Sequence, residues 1–320
     1  MARWGYFSSG STPSCSEYAF ETDASRIDIA FAAIFFLATL ALLFVVCSRI
    51  GQLKKQGQRV AGSVMLVTSI LFAWFAYTIV LIYRPLEECD IFSYENIYQA
   101  PVLTSWLFNV SSYLLFVAIL TSISNKLQKD FNHVQPVITK IQKYWAVLIG
   151  LVLIPTLSVM TAYNHYSYND VRGSALSDSP YILIPAMRGL WTTFYVVCAA
   201  GMLLAAASIG KTLAQAPAES RTRSILINTT ILHLAAVGMT LTLMGDYVDT
   251  SFMYMNRVIY YGTSAYNSYI AKTEAASFLG SFFYCLAFYA AVQVASLHAE
   301  PVKPVASVEN EQYGHGQEQA

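Results

Sequence analysis

Apolar residues in this chain come in long blocks separated by short polar stretches. Seven blocks reach the roughly 20 residues that a helix rising 1.5 Å per residue needs to cross a bilayer core. They lie at about Ile29–Ser48, Val60–Tyr83, Val102–Ser124, Tyr144–Tyr163, Tyr181–Ile209, Ser224–Gly245 and Ala275–Leu297. Pro180 and Pro185 suit the first turn of the overlong fifth block, or a kink near its start. Pro155 predicts a bend inside the fourth and a freed carbonyl. The pattern thus predicts an all-α fold, a polytopic membrane protein built as a seven-transmembrane-helix bundle. Three regions follow: an N-terminal segment (1–28), the seven-helix domain (29–297), and a polar tail (298–320) with no apolar period, expected to be disordered.

Composition agrees with that pattern. Of the 320 residues, 56% are hydrophobic and 12% charged, against about 25% charged in an average soluble domain. Met1 to Arg26 has no apolar stretch and hence no signal peptide, so the first block is expected both to target the chain and to remain as a span. The formal charge of zero hides an asymmetry. One side holds 12 basic residues, Arg49, Lys54, Lys55, Arg59, Lys126, Lys129, Lys140, Lys143, Lys211, Arg221, Arg223 and Lys303, against 6 acidic ones. The other side holds 6 basic and 13 acidic residues, with Arg188 inside the fifth span. The positive-inside rule then predicts an extracytosolic N-terminus and a cytosolic C-terminus, in the endoplasmic reticulum or plasma membrane. The expected partners are the lipid bilayer and a hydrophobic small molecule, with no nucleic acid.

Candidate chemistry gathers at the extracytosolic ends. The stretch Ser224 to Glu274 opens as a span carrying Asn228 and His233. It then reaches Asp246-Tyr-Val-Asp249 and a segment rich in tyrosine: Tyr247, Tyr254, Tyr260, Tyr261, Tyr266 and Tyr269. Groups so costly in lipid predict that this stretch forms one wall of a site, with a long loop over 246–274 as its roof. His233 is either a packing residue or a ligand group. In the third span Ser105, Asn109, Ser112 and Tyr113 share one helix face, read as helix–helix packing or as the lining of a cavity. Arg188 stands above Tyr195 on the fifth span, a headgroup anchor or part of the site. In the second loop Glu87, Glu88 and Asp90 repel one another, an arrangement that keeps one carboxyl protonated as a general acid. The alternative is a solvated acidic loop neutralised by Arg84. Cys15 and Cys89, both on the oxidising side, form a bridge or remain two free thiols. Cys47, Cys198 and Cys285 read as small core residues.

Several classes are set aside. The last span has no lysine for a retinal Schiff base, and Lys272 lies outside it. The five histidines (His133, His165, His233, His298 and His315) are scattered, unlike those of a zinc hydrolase. No pair of aspartate-rich motifs marks a metal-dependent prenyl-diphosphate enzyme. No cofactor and no metal site are therefore expected.

The size, seven spans, outward N-terminus and short cytosolic loops resemble the small integral membrane proteins of filamentous fungi, of the membrane-bound terpene cyclase type. The likeness is one of layout over the whole chain. It implies a metal-independent enzyme of secondary metabolism, in which lumen-side acids protonate an epoxide or alkene and aromatic rings steer the resulting cation. Glu87, Glu88, Asp90 and Asp246 would be the catalytic acids, and Asn109, Tyr113, Arg188, Tyr195, His233 and Tyr247 the binding residues. Asn109, Arg188 and Asp246 are expected to converge on one cavity, since a shared site lets polar groups in lipid satisfy one another. A seven-helix receptor is the runner-up. The third span, however, ends Ser122-Ile-Ser-Asn-Lys126 without an Asp-Arg-Tyr-like triplet, and the seventh lacks Asn-Pro-X-X-Tyr. A transporter comes third, because seven spans do not divide into equal inverted repeats.

Overall fold

A computed structural model describes Cys15 and residues 19–55, 61–89, 99–131, 135–171, 183–215, 223–248 and 254–296, with backbone only at 166–171 and 254–267. These residues form seven long helices and no strand. The helices are α1 (Asp23–Lys55), α2 (Ser63–Glu88), α3 (Gln99–Asp130), α4 (Pro136–Val171), α5 (Leu183–Gln215), α6 (Arg223–Val248) and α7 (Tyr254–Ser296). Each contains a stretch long and apolar enough to cross a membrane. The outer surface is apolar too: Val64 is 77% exposed and Tyr144 75%, beside exposed Leu37, Phe44, Leu151 and Leu234. Helices apolar all round suit a bilayer, where lipid covers the face that water would otherwise meet. The core between them is filled by side chains such as Leu66, Ile70, Leu115, Ile119, Ile149, Met202 and Phe288.

Close packing depends on small residues, which let backbones approach where lipid supplies no hydrophobic drive between helices. Ala235 and Ala236 of α6 and Ala287, Ala291 and Ala295 of α7 are all buried, and these two helices are in extensive contact. A Cβ added at Gly238 would lie 3.1 Å from the Phe283 ring. Between α4 and α5, a Cβ at Gly201 would come within 2.7 Å of Trp145, whose Nε1 donates to the Val197 carbonyl at 2.9 Å.

Within α3 the α-helix of Gln99–Val117 passes through a π turn, Ala118–Ile123, before resuming at Ser124–Asp130. Gly62, at φ 68°, packs against this turn; a Cβ there would lie 2.9 Å from Cβ of Ser122. Below the turn α3 presents polar side chains inward. Gln128 donates to Ser208 Oγ at 3.1 Å and accepts from Thr139 Oγ1 at 3.1 Å. Ser124 donates to Gln142 Oε1 at 3.1 Å, and Lys126 Nζ donates to the Ala295 carbonyl at 2.8 Å. This end of the bundle is thereby cross-linked from α3 to α4, α5 and α7.

Seven helices able to cross a membrane are present in the expected order, and most outrun their apolar blocks, Pro136–Val171 at both ends; three of these ends bear on the site. The first helix begins at Asp23 rather than near Ile29, bringing Asp28 onto it. The second continues through Pro85 to Glu88, so Glu87 and Glu88 sit on its last turn instead of in a loop. A proline this near the C-terminus costs one internal hydrogen bond without stopping the chain. The largest difference is in α7, which starts at Tyr254. The tyrosine-rich segment expected to be a roof loop is helical from Tyr254 onward. Loss of apolar character ended the predicted span, yet polarity does not end a helix, and the segment has no proline. Cys198 is buried as expected, whereas Cys47 lies exposed on the outer face rather than in the core.

Candidate functional site

Six of the seven helices surround a cavity of about 250 Å³. Its walls come from the early part of α1 (Asp28, Phe31, Ala32, Phe35), the later part of α2 (Ala73, Tyr77, Val80), α3 (Phe108, Asn109, Ser111, Ser112), Tyr195 of α5, Met239 and Leu243 of α6, and α7 from Ser277 to Tyr284. Early residues of α1 meet late residues of α2 and α6 because successive helices alternate in direction. The cavity therefore belongs to the end of the bundle where α1 begins. Seven aromatic rings line it: Phe31, Phe35, Tyr77, Phe108, Tyr195, Phe278 and Tyr284. Phe35 stacks on Tyr77 with ring centroids 5.8 Å apart, and Phe278 leans on Phe31 and Phe35 at 4.8 and 5.3 Å.

The floor is a hydroxyl cluster joining three helices. Ser69 Oγ donates to the Ser111 carbonyl at 2.8 Å, and Ser111 Oγ lies 2.8 Å from the Ser69 carbonyl and 2.7 Å from Tyr284 Oη. The Tyr284 hydroxyl is 2.8 Å from Ser69 Oγ. With the Ser69 proton committed to a carbonyl, the phenol proton goes to Ser69 Oγ, and every member is satisfied. Nearby, Tyr77 donates to Ser281 Oγ at 2.7 Å.

The mouth is charged. Arg84 Nε binds Asp28 Oδ2 at 2.7 Å and Nη1 binds Glu87 Oε2 at 3.0 Å, tying α2 to α1. Glu88 accepts from the Phe20 amide at 3.1 Å, and Cys15 is joined to Cys89 by a disulfide. The chain before α1 is thus fastened to the end of α2. A groove of about 980 Å³ runs along this rim, lined among others by Phe20, Arg84, Glu88 and Glu274. It shares Asp28 and Phe31 with the cavity, so the two adjoin.

The residues singled out in the sequence fall into three groups. Asn109 and Tyr195 line the cavity, as does Ser112. Glu87 and Glu88 stand at the rim, bound to Arg84 and to the Phe20 amide. The others lie behind or away from the cavity. Tyr247 packs against Trp191 and Tyr195, each with ring centroids 6.0 Å apart, and Asp246 is within electrostatic reach of Tyr195. Half-buried Arg188, on the second turn of α5, is not among the lining residues. Tyr113 turns to α4, its hydroxyl 2.6 Å from where a Cβ of Gly150 would sit. His233 Nδ1 bonds the Thr229 carbonyl of its own helix at 2.7 Å. Asp90 lies outside the described residues. Sequence reasoning missed Asp28, Tyr77, Ser281 and Tyr284. The signal was available in α7, where Ser277, Ser281 and Tyr284 recur at the i, i+4, i+7 spacing of one helix face.

Among the described residues, no three His, Cys, Asp or Glu side chains are grouped as metal ligands would be. Comparison with protein-family models, with curated proteins and with solved structures returns no match.

Proposed function

We propose that this protein is a membrane-embedded enzyme of secondary metabolism that cyclises an epoxidised isoprenoid or meroterpenoid by protonation. The observation that carries this reading is an aromatic-lined cavity with a carboxylate, Asp28, at its mouth. In such a reaction a rim carboxyl gives its proton to the epoxide oxygen. The carbon–oxygen bond breaks to leave an alcohol and a carbocation, and alkene π electrons close the ring. A carboxylate finally takes up a proton from the cyclised cation. Aromatic faces stabilise the cation, and the bundle keeps water from quenching it. Asp28, held by Arg84 at 2.7 Å, suits the role of final proton acceptor. Glu274, on the rim one helical turn before Phe278, suits that of donor, with Glu87 and Glu88 beside it. The cavity mouth would hold the epoxide, within reach of Glu274 and Asp28, with the rest of the substrate shared between the cavity and the rim groove.

The same reading puts the N-terminus and the cavity mouth on the extracytosolic side of the endoplasmic reticulum or plasma membrane. The 12 basic residues on the opposite side and the Cys15–Cys89 disulfide, which persists in oxidising compartments, both support that orientation. Protease treatment of sealed microsomes should remove a tag before Ser25 only after lysis and should remove a C-terminal tag without it. The reverse pattern overturns the orientation.

Membranes from a host expressing the full chain, supplied with an epoxidised prenyl-aromatic, should convert it to a cyclic isomer of the same mass. Asp28→Asn or Glu274→Gln should abolish product while the protein persists. If the unsubstituted protein forms no product from any such precursor, the enzyme reading fails. A receptor is the second reading, since the same enclosed cavity could hold a ligand without converting it. Ligand binding without turnover would support it.

A further inference from the structure

The lining of the cavity carries hydrogen-bonding capacity that the protein does not use. Tyr77 is 8% exposed and spends its phenol proton on Ser281 Oγ at 2.7 Å. Ser281 accepts that bond, and among the described residues nothing accepts the proton of its own hydroxyl. Asn109 directs its amide NH₂ to the Ser105 carbonyl at 2.8 Å, which fixes the amide's orientation and leaves Oδ1 as an acceptor. Both side chains line the cavity. The hydroxyl cluster of Ser69, Ser111 and Tyr284 is different, being closed on itself.

Depth follows from helix geometry. Ser281 is seven residues below Glu274 on α7, and Tyr77 seven residues from Arg84 on α2, each a separation of about 10 Å along the axis. The Tyr77–Ser281 pair therefore lies about 10 Å inside the charged mouth, beyond the Phe31 and Phe278 rings. Charge also discriminates. Among the described residues no Lys, Arg or His lines the cavity, and the one carboxyl group that does, Asp28, repels anions. Among the described residues the cation lining the rim groove is Arg84, which is paired to Asp28 and Glu87.

We infer that the cavity binds a neutral ligand by an oxygen at its buried end, with the Ser281 hydroxyl donating to that oxygen and Tyr77 holding Ser281 in position. The inference rests on the reading of this cavity as the ligand site, and it narrows the ligand class. An alcohol, ketone or ether at the tip of a hydrocarbon body fits. A diphosphate does not, for want of cations, and neither does a bare hydrocarbon, which leaves the hydroxyl unpaired. Tyr77 bonds Ser281 rather than the ligand and is a positioning residue. The polarised hydroxyl chain strengthens the donor at its end.

The test uses full-length protein in lipid nanodiscs and competition against tritiated geraniol, with myrcene, geranyl diphosphate and geranylamine as competitors at matched lipid-phase concentration. Geraniol should bind about tenfold tighter than myrcene, the hydrocarbon of the same skeleton, which is the scale of one buried neutral hydrogen bond. Ser281→Ala should bring the two to within about twofold by weakening geraniol alone, and Ser281→Thr should preserve the preference. Tyr77→Phe should erode it partway while leaving myrcene unchanged. Unaltered myrcene binding in each variant shows that the cavity has kept its shape. If Ser281→Ala fails to fold, the Thr and Phe variants decide the matter alone. Equal affinity for geraniol and myrcene in the unsubstituted protein, or tighter binding of the diphosphate or the amine, overturns the inference. So does a preference that survives Ser281→Ala. A geraniol preference without any cyclised product sinks only the enzyme reading, and product formation with no such preference sinks only this one.

Discussion

Tyr284 has its ring in the cavity wall and its hydroxyl in the cluster that joins α2, α3 and α7. Tyr284→Phe should cost about 1 kcal/mol, the range of hydrogen bonds between membrane helices. Ser69→Ala combined with it should cost less than the sum of the two, because one bond would be lost twice. Reversible unfolding in mixed micelles measures both. Gly201 gives a steric test: the 2.7 Å approach to Trp145 leaves no room for a methyl, so Gly201→Ala should destabilise by about 1–3 kcal/mol. Gly210→Ala, on the same helix with nothing within 4 Å, should be neutral or slightly stabilising. At this scale the sequence was partly readable. Asn109 and Tyr195 stood out as polar or aromatic groups at membrane depth, and both reach the cavity. Ser281 did not, because a serine can satisfy itself on its own helix and so carries no visible cost in an apolar run.

Among the elements, α7 departs most from what the apolar pattern implied. Hydropathy marks where a helix leaves lipid, whereas backbone hydrogen bonding decides where it ends, and Tyr254–Lys272 continues the helix after the apolar run has stopped. Backbone amides between Tyr254 and Lys272 should accordingly exchange with deuterium far more slowly than those of an open loop; exchange at loop rates would contradict the helix. The Cys15–Cys89 bridge gives a second test, since it ties the chain ahead of α1 to the end of α2 across 74 residues. Replacing both cysteines with serine should lower stability by about 2 kcal/mol, at the lower end of the usual range because the inserted helices already restrict the unfolded chain. The loss should be absent in protein held under reductant, which opens the same bond.

For the whole molecule, the order and number of candidate spans were legible because each is a block of about 20 or more largely apolar residues bounded by polar sequence. The cavity was not legible, since it depends on which faces of six helices meet, and periodicity is faint when helices are apolar all round. One consequence of a void of about 250 Å³ can be measured directly. Ala73→Leu, at a buried position in the cavity wall, should raise stability by about 0.5–2 kcal/mol while reducing geraniol binding at least about tenfold. A loss of both would mean that the site tolerates no filling. The π turn of Ala118–Ile123 bears on ancestry as well as shape. A π turn holds one residue more than an α-helix covering the same rise. A descendant or cousin of this chain with an unbroken third helix would therefore align with a single-residue gap between Ala118 and Ile123, inside a span where gaps are otherwise rare. Its counterpart of Gln128 would be found one position early.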